Sequence, residues 1–349
     1  MLTPVSTGDF SRLVFDRTAA YIRRCQCEDG LIPWYANAPA DPWNLVEAAM
    51  GLSIGGFLRE AEAAYDWLAR NQLPTGAWPA AFCSNHSPQD MEMQGEGHVE
   101  TNFVAYMATG VWHHYLITGD RNFLRRFWGH VGKAIDFVLS LQTGAGVIPW
   151  AWHAHEEVGE DALLTGCCSI YKSIECALLM AEQLGEERHQ WKMARARLGK
   201  ALCLHPGHPD RISQGSRRHA MDWFYPVLAR VIDTRHAWEH LRERWDDFVV
   251  EQRGCRCVRD RPWVTVAESC ELVMALLVAG QRDLAAELFT CLHVYVDEDG
   301  GAWTGYVYED SALWPLEKPT WTAGALLLAA DALTGHTPAS HLFTGAASW

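Results

Sequence analysis

The chain has too little positive charge to be drawn to a polyanion. Lys and Arg total 29 against 43 Asp and Glu, a formal net charge of −14, whereas phosphate binding needs clustered Lys and Arg. Nucleic acid is therefore excluded as a partner. No apolar run reaches the roughly 20 residues that cross a bilayer, so no membrane span is expected. The N-terminus lacks the basic-then-apolar pattern of a secretory leader. A Gly-rich phosphate loop, a nucleotide-binding fingerprint and a nucleophile elbow are also missing, so no organic cofactor is inferred. The 11 cysteines are an odd number, scattered, with Cys176 and Cys270 inside apolar runs. That pattern fits reduced thiols and a cytoplasmic location better than a disulfide framework. The pairs Cys25/Cys27 and Cys255/Cys257 have a shorter gap than structural zinc sites favour, and neither has a second half nearby. No metal is expected.

What the chain does have is apolar residue, 49% of the total, and 17 tryptophans, enough for a large core with aromatics to spare. Apolar spacing near 3.6 recurs between Gly/Pro-rich loops. It predicts helices at 8–26, 42–56, 58–71, 101–118, 121–142, 165–184, 188–203, 219–231, 235–250, 263–280, 282–294 and 319–334. No long alternating pattern predicts a sheet. The helices alternate in type. One type is amphipathic and charged, as in Arg121-Asn-Phe-Leu-Arg-Arg-Phe127. The other is apolar or small nearly all round, as in Val104-Ala-Tyr-Met-Ala-Thr-Gly110 and Ala323-Gly-Ala-Leu-Leu-Leu-Ala-Ala330. A helix apolar on every side must be buried on every side. Six outer helices around six inner ones predict an all-α (α/α)6 toroid, one domain over 1–335 with a tail at 336–349; an open α-solenoid is the competing arrangement. Weak repeats support hairpin units: Asp29-Gly-Leu-Ile-Pro-Trp34, Thr75-Gly-Ala-Trp-Pro79, Gly146-Val-Ile-Pro-Trp150 and Asp299-Gly-Gly-Ala-Trp303 each follow an outer helix.

The segments that open the inner helices are rich in acids and aromatics. They are Asp41-Pro-Trp-Asn-Leu-Val-Glu47; Glu100-Thr-Asn102; Glu156-Glu157 through Thr165 to Tyr171; Met221-Asp-Trp-Phe-Tyr225; Asp260-Arg-Pro-Trp263 to Glu268; and Asp297 to Trp321. The last carries Trp303, Tyr306, Tyr308, Glu309, Asp310, Trp314, Glu317 and Trp321. Capping explains some of this, since Asp and Thr at a helix start satisfy free amides and Pro suits the first turn. It does not explain the indoles of Trp43, Trp223, Trp263 and Trp321 beside the caps. Nor does it explain Glu47, Glu268 and Glu271 inside apolar helices, where charge is costly unless paired or used. If the inner helices run parallel, these segments line one funnel, and Asp41, Trp43, Glu47, Glu100, Asn102, Tyr171, Asp222, Trp223, Tyr225, Trp263, Glu268, Trp303, Tyr306, Trp314, Glu317 and Trp321 become candidate substrate-binding residues.

The second half resembles the glucoamylase-type six-hairpin glycosidases. In that family an acid pair in a Trp-Glu-Glu loop precedes a Thr-rich inner helix; here Trp152-His-Ala-His-Glu156-Glu157 precedes Leu164-Thr-Gly-Cys-Cys-Ser-Ile-Tyr171. Arg261-Pro-Trp263 stands for the family's Asn-Pro-Trp, and Tyr308-Glu-Asp310 precedes Thr320-Trp-Thr322 as its base precedes Thr-Trp-Ser. The chain departs from the family at His153 and His155, at Asp41-Pro-Trp43 in place of an Arg-Asp clamp, and in having no starch-binding domain. The resemblance implies that Glu157 (or Glu156) is the general acid and Asp310 (or Glu309) the base that activates water, with inversion at carboxyls roughly 6.5–9.5 Å apart. It implies sugar hydroxyls on Asp41, Glu100, Asn102 and Asp222 and stacking on Trp43, Trp223, Trp263 and Trp303. The expected partner is a neutral carbohydrate.

Gln72-Leu-Pro-Thr-Gly-Ala-Trp78 is similar to the Gln-x-x-x-Gly-x-Trp turn of squalene- and hopene-cyclase repeats, which implies isoprenoid chemistry as an alternative. The Asp-x-Asp-Asp proton donor of those cyclases is missing. So are the zinc ligands of the protein prenyltransferases, whose Gly-Gly-Phe repeats resemble Asp299-Gly-Gly-Ala-Trp303. The turn is therefore a signature of fold. A sugar epimerase working through His113/His114 or His153/His155, and a glycan-binding protein without activity, complete the alternatives.

Overall fold

The computed structural model describes residues 14–82, 97–153, 159, 161–204 and 218–345. A π-turn at Val14–Thr18 leads into α1 (Ala19–Cys25). The chain then runs in pairs: α2 (Pro42–Ile54) with α3 (Leu58–Arg70), α4 (Thr101–Thr118) with α5 (Arg121–Ser140), and α6 (Leu164–Leu184) with α7 (His189–Leu204). The pairs α8 (Ala220–Leu228) with α9 (Thr234–Glu243) and α10 (Val266–Val278) with α11 (Arg282–Cys291) follow, and α12 (Thr320–Thr334) is last.

The apolar members pack in a cycle. Helix α2 lies on α4, α4 on α6, α6 on α8, α8 on α10, α10 on α12, and α12 returns to α2. Each charged helix lies outside against the helix before it in the chain, and α1 covers α12 and α2. The sequence dictates the sorting. In α2 every residue but Asn44 is buried, whereas α3 buries only Ala61, Ala64, Tyr65, Trp67 and Leu68, one helical stripe. Small residues set how close the inner helices come. A Cβ at Gly324 would lie 2.6 Å from the Glu47 carbonyl oxygen, and one at Gly51 would lie 3.1 Å from the Gly324 Cα.

The repeated turns tie successive outer helices together. The Gln26 amide donates to the carbonyls of Gly30 (3.0 Å) and Glu60 (2.9 Å). Gln72 does the same to Gly76 (2.8 Å) and His130 (2.9 Å), and Gln142 to Gly146 (2.9 Å) and Ala194 (3.0 Å). The Gln-x-x-x-Gly motif is thus a clamp from the end of one outer helix to a backbone carbonyl of the next. Gly76 has φ +96°, and a Cβ there would sit 2.4 Å from the Lys133 carbonyl oxygen. Gly76→Ala is expected to cost about 3 kcal/mol through backbone strain and that clash, and Gln72→Ala about 1–3 kcal/mol through the bonds lost. Urea melts of both variants check this.

Three features depart from the sequence expectation. Two small sheets are present. Strand β1 (His98–Glu100) pairs antiparallel with β2 (Ala151–His153), and β3 (Val249–Val250), β4 (Gly254–Arg256), β5 (Trp263–Thr265), β6 (Gly305–Val307) and β7 (Ala312–Leu313) form an antiparallel sheet in that order. Residues 249–250 and 263–265, expected as helix, are strand. Segments of two or three residues are too short to show an alternating period. Second, residues 336–345 are part of the body: Thr337 bonds the buried Asp331 through N (2.7 Å) and Oγ1 (2.6 Å), and Leu342 and Phe343 are buried. Third, α6 is long and apolar enough to cross a membrane, yet its apolar stretch is mostly buried inside the fold between α4 and α8. Every described cysteine is a free thiol. Among the described residues no group of three or more His, Cys, Asp or Glu is arranged to hold a metal ion.

Candidate active site

The N-terminal ends of the six inner helices meet, each linked to the next by direct contacts. Thr320 at the start of α12 donates its N–H to Trp34 O (2.7 Å), and the Trp34 indole N–H donates to Asp41 Oδ2 (2.7 Å) at the start of α2. Trp43 on α2 stacks on Tyr106 of α4, with centroids 4.6 Å apart and planes at 15°. Gly166 of α6 lies against Asn102 of α4, where a Cβ would come within 3.8 Å of the Asn102 side chain. Thr165 on α6 donates N–H (3.2 Å) and Oγ1–H (2.7 Å) to Asp222 Oδ1 on α8. Ala220 of α8 donates to Cys257 O (3.0 Å), just ahead of α10. From α10 the circuit closes on α12: the Trp263 indole donates to Trp314 O (2.8 Å), and Val266 N–H to Thr304 O (3.0 Å).

Within this circle sit Asp41, Glu47, Glu100, Glu268 and Glu271. Burial pushes the Asp41 carboxyl up to about 6, against the opposing effect of its hydrogen bonds from Asn44 and Trp34. Glu47 is pushed up to about 8, chiefly by burial and further by the charges of Asp41 and Glu268, although the Trp43 indole N–H donates to it (3.0 Å). Burial and the Asp41 charge raise Glu100 to about 7. Glu271 is held well above the usual carboxylate range by burial, then by Glu47 and Glu268. Desolvation leads for each of these four, and it is Glu47 and Glu271 that keep their protons at neutral pH. Glu100 and Glu268 are only half-buried and open to solvent, while Asp41, Glu47 and Glu271 are buried. The arrangement can therefore offer both a protonated carboxyl and a water-accessible one, the two requirements of acid–base catalysis.

Of the residues singled out from the sequence, Asp41, Trp43, Glu47, Glu100, Asn102, Tyr225 and Glu268 lie at this mouth. Tyr225 lies 6.3 Å from Trp43 across the ring, and its hydroxyl faces Glu271 and Glu47. Trp263, Trp314, Glu317 and Trp321 lie along the rim; Glu317 meets the Tyr35 hydroxyl (3.4 Å), and Trp321 sets its ring edge-on to Trp34 (6.0 Å). Asp222 caps the first turn of α6.

Others are placed elsewhere. Trp223 is fully buried and stacks on Phe248 (5.1 Å, 16°), so its indole fills core beside the outer layer and forms no sugar wall. Tyr171 lies under the Arg195 guanidinium (3.9 Å), two turns into α6 and facing α7. The Lys318 ammonium sits over the ring of Trp303 (5.2 Å). Tyr306 packs on Tyr295 (5.8 Å) beneath Arg253 (5.6 Å). Glu309 and Asp310 are exposed in the turn between β6 and β7, outside the acid cluster. Glu156, Glu157 and His155 lie outside the described residues. His113 and His114 are buried inside α4 far from its N-terminus, His114 bonded through Nδ1 to Ser53 Oγ (2.9 Å). His153, on β2, faces His98 (4.7 Å). Trp34 and Tyr106, both integral to the mouth, were not legible as site residues: the first reads as part of a turn repeat, the second as one more aromatic in an apolar helix.

The acid cluster at this mouth suits a glycoside hydrolase, and comparison with a curated relative supports that class. No family model matches the chain. In sequence it is 45% identical over 329 residues, 94% of this chain and 88% of the other, to the MMP endo-(1,4)-3-O-methyl-alpha-D-mannosidase of Mycolicibacterium hassiacum. The chain belongs to the family of that mannosidase. Among solved structures it is similar to a wild-type glycosidase (TM-score 0.68, 16% identity, 95% of this chain and 100% of the other). It is also similar to the GH63 mannosylglycerate hydrolase of Thermus thermophilus with glucose bound (TM-score 0.67, 11% identity, 90% and 99%). A D-mannose isomerase is as close in shape (TM-score 0.68, 10% identity, 95% and 98%). At those identities the likeness is one of fold.

Proposed function

We propose that this glycoside hydrolase cuts (1,4)-linked α-mannose chains carrying 3-O-methyl groups at internal bonds, with inversion, inside an (α/α)6 toroid. The closed cycle of inner helices supports the toroid, and the relative's name supports the substrate and the endo mode. Asp41, the N-cap of α2, is the general acid: its raised carboxyl carries a proton to the leaving oxygen. Glu268 on α10 is the base, half-exposed where water reaches it. The observation that carries this pair is Glu47, which feels the charges of both Asp41 and Glu268, so both carboxyls lie close to it, one at the start of α2 and one on α10, the two inner helices that flank α12. Inversion needs the pair roughly 6.5–9.5 Å apart, with room for one water.

The test is incubation with α-(1,4)-mannose oligosaccharides, methylated and unmethylated, with prenyl diphosphates as a control. Mass analysis is expected to show internal fragments, and proton NMR to show the new reducing end appearing first as the β anomer. Release of single sugars alone, or an α anomer first, would overturn the endo or the inverting part respectively.

A further inference from the structure

Among the described residues, two of the five exposed large apolar side chains lie on one short segment of the rim. Trp314 is 56% exposed and Leu316 76%. Soluble proteins rarely leave such side chains grouped in water without a use. Their position is specific. The 314–319 segment leaves β7 beside Trp263, five residues before Glu268, and ends at Thr320, whose N–H meets Trp34, the donor to Asp41. It therefore spans the rim from the wall that carries Glu268 to the wall that carries Asp41.

Trp314 is also held in place. The Trp263 indole N–H donates to the Trp314 carbonyl (2.8 Å), and the two rings meet edge-to-face, centroids 5.1 Å apart at 74°. Trp314 N–H in turn donates to Gly305 O (3.0 Å). Gly305 has no Cβ for a reason: one there would sit 2.6 Å from the Trp263 Nε1, so the absent side chain lets the indole cross β6 and brace Trp314. A fixed aromatic with a free face, next to an exposed aliphatic, is a platform for the apolar face of a pyranose. It suits a methyl ether in particular, which adds apolar area and removes a hydroxyl donor.

We propose that Trp314 and Leu316 form an outer sugar subsite, one that binds a residue of an extended O-methylated chain next to the acid pair and so selects long methylated substrates over short ones. This rests on the functional reading above. The occupant is carbohydrate because the patch is continuous with the acid-lined mouth; a second copy of the chain is the competing occupant.

The experiment compares wild type, Trp314→Ala, Trp314→Phe and Leu316→Ser on a tetrasaccharide and an octasaccharide of 3-O-methylmannose, and on the unmethylated octasaccharide. Trp314→Ala is expected to raise KM for the methylated octasaccharide about tenfold with kcat held, and to affect the tetrasaccharide less. Trp314→Phe should restore most of the loss, and Leu316→Ser should narrow the preference for the methylated chain. Equal KM changes at both lengths, or none, would overturn the subsite. So would a change in sedimentation of the Trp314→Ala variant without a change in KM, which would assign the patch to self-association. Calorimetric titration of Glu268→Gln protein, with and without Trp314→Ala, reads oligosaccharide binding without turnover. Length-dependent binding there in the absence of hydrolysis by wild type would keep the subsite and reject the hydrolytic reading; no binding in either protein would reject both.

Discussion

Asp41→Asn and Glu268→Gln are each expected to lower kcat by about a thousandfold, with Asp310→Asn staying within about twofold of wild type. The roles separate by leaving group. An aryl mannoside with a good leaving group needs no proton, so it should rescue Asp41→Asn and leave Glu268→Gln slow. The pH profile gives the sign independently. A general acid works only while protonated, so activity is present below its pKa and lost as pH rises through it; with Asp41 raised to about 6, the alkaline limb of kcat/KM belongs near there. The Trp34 indole N–H favours the ionised carboxylate, and Trp34→Phe should move that limb to higher pH. Glu156→Gln and Glu157→Gln belong in the same series. Full turnover by both mouth variants, or a thousandfold loss at Asp310 or Glu157 in their place, would return the acid and base to those sequence-based positions.

The contrast between Asp41 and Asp310 shows what a sequence can carry about a site of this kind. Periodicity exposes the alternation of charged and apolar helices, because burial on all sides leaves its mark on every residue of a helix such as α2. Convergence of distant N-termini follows from that alternation, and it brings Asp41, Glu100 and Glu268 together as expected from their place at helix starts. Side-chain direction is another matter. Trp43 is the second residue of α2 and Trp223 the fourth of α8, and two residues turn a side chain by roughly 200° about the helix axis, so one stacks on Tyr106 at the mouth and the other on Phe248 in the outer layer. An uncertainty of two residues in a helix start is enough to hide that difference from the sequence. Likewise, acids beside aromatics in 297–321 look like an active-site wall, but a hairpin turn places Glu309 and Asp310 in solvent, and Lys318 covers Trp303. The better guide was cost. Glu47 and Glu271 stand inside helices where a charge has no structural benefit, Glu268 stands in the first turn of α10, and these are residues that the structure gathers at the mouth.

That cost should be measurable as stability. Glu47→Gln is expected to stabilise the protein at pH 8 by up to about 3–5 kcal/mol and to change it little at pH 5. Glu47, Glu100 and Asp41 have folded values raised to about 8, 7 and 6, so the folded state binds more protons than the unfolded one. The stability they contribute is present below the ordinary carboxylate range and lost as pH rises through those values. Glutamine removes the titration at 47 yet can still accept the Trp43 indole N–H and can donate to a neighbouring carboxylate. The histidines act in the opposite sense. Burial holds His113 down to about 3 and His114 to about 4, so their share is present above about 6.5 and lost as pH falls towards those values. The thermal midpoint should therefore peak at mildly acidic pH, and Glu47→Gln should flatten only its alkaline side. Because Glu271 is raised partly by Glu47, the double variant with Glu271→Gln should gain less than the sum of the singles. Equal effects of Glu47→Gln at pH 5 and pH 8 in thermal melts would show that the residue serves packing alone, and that the carboxyls at this mouth do not hold one another's protons.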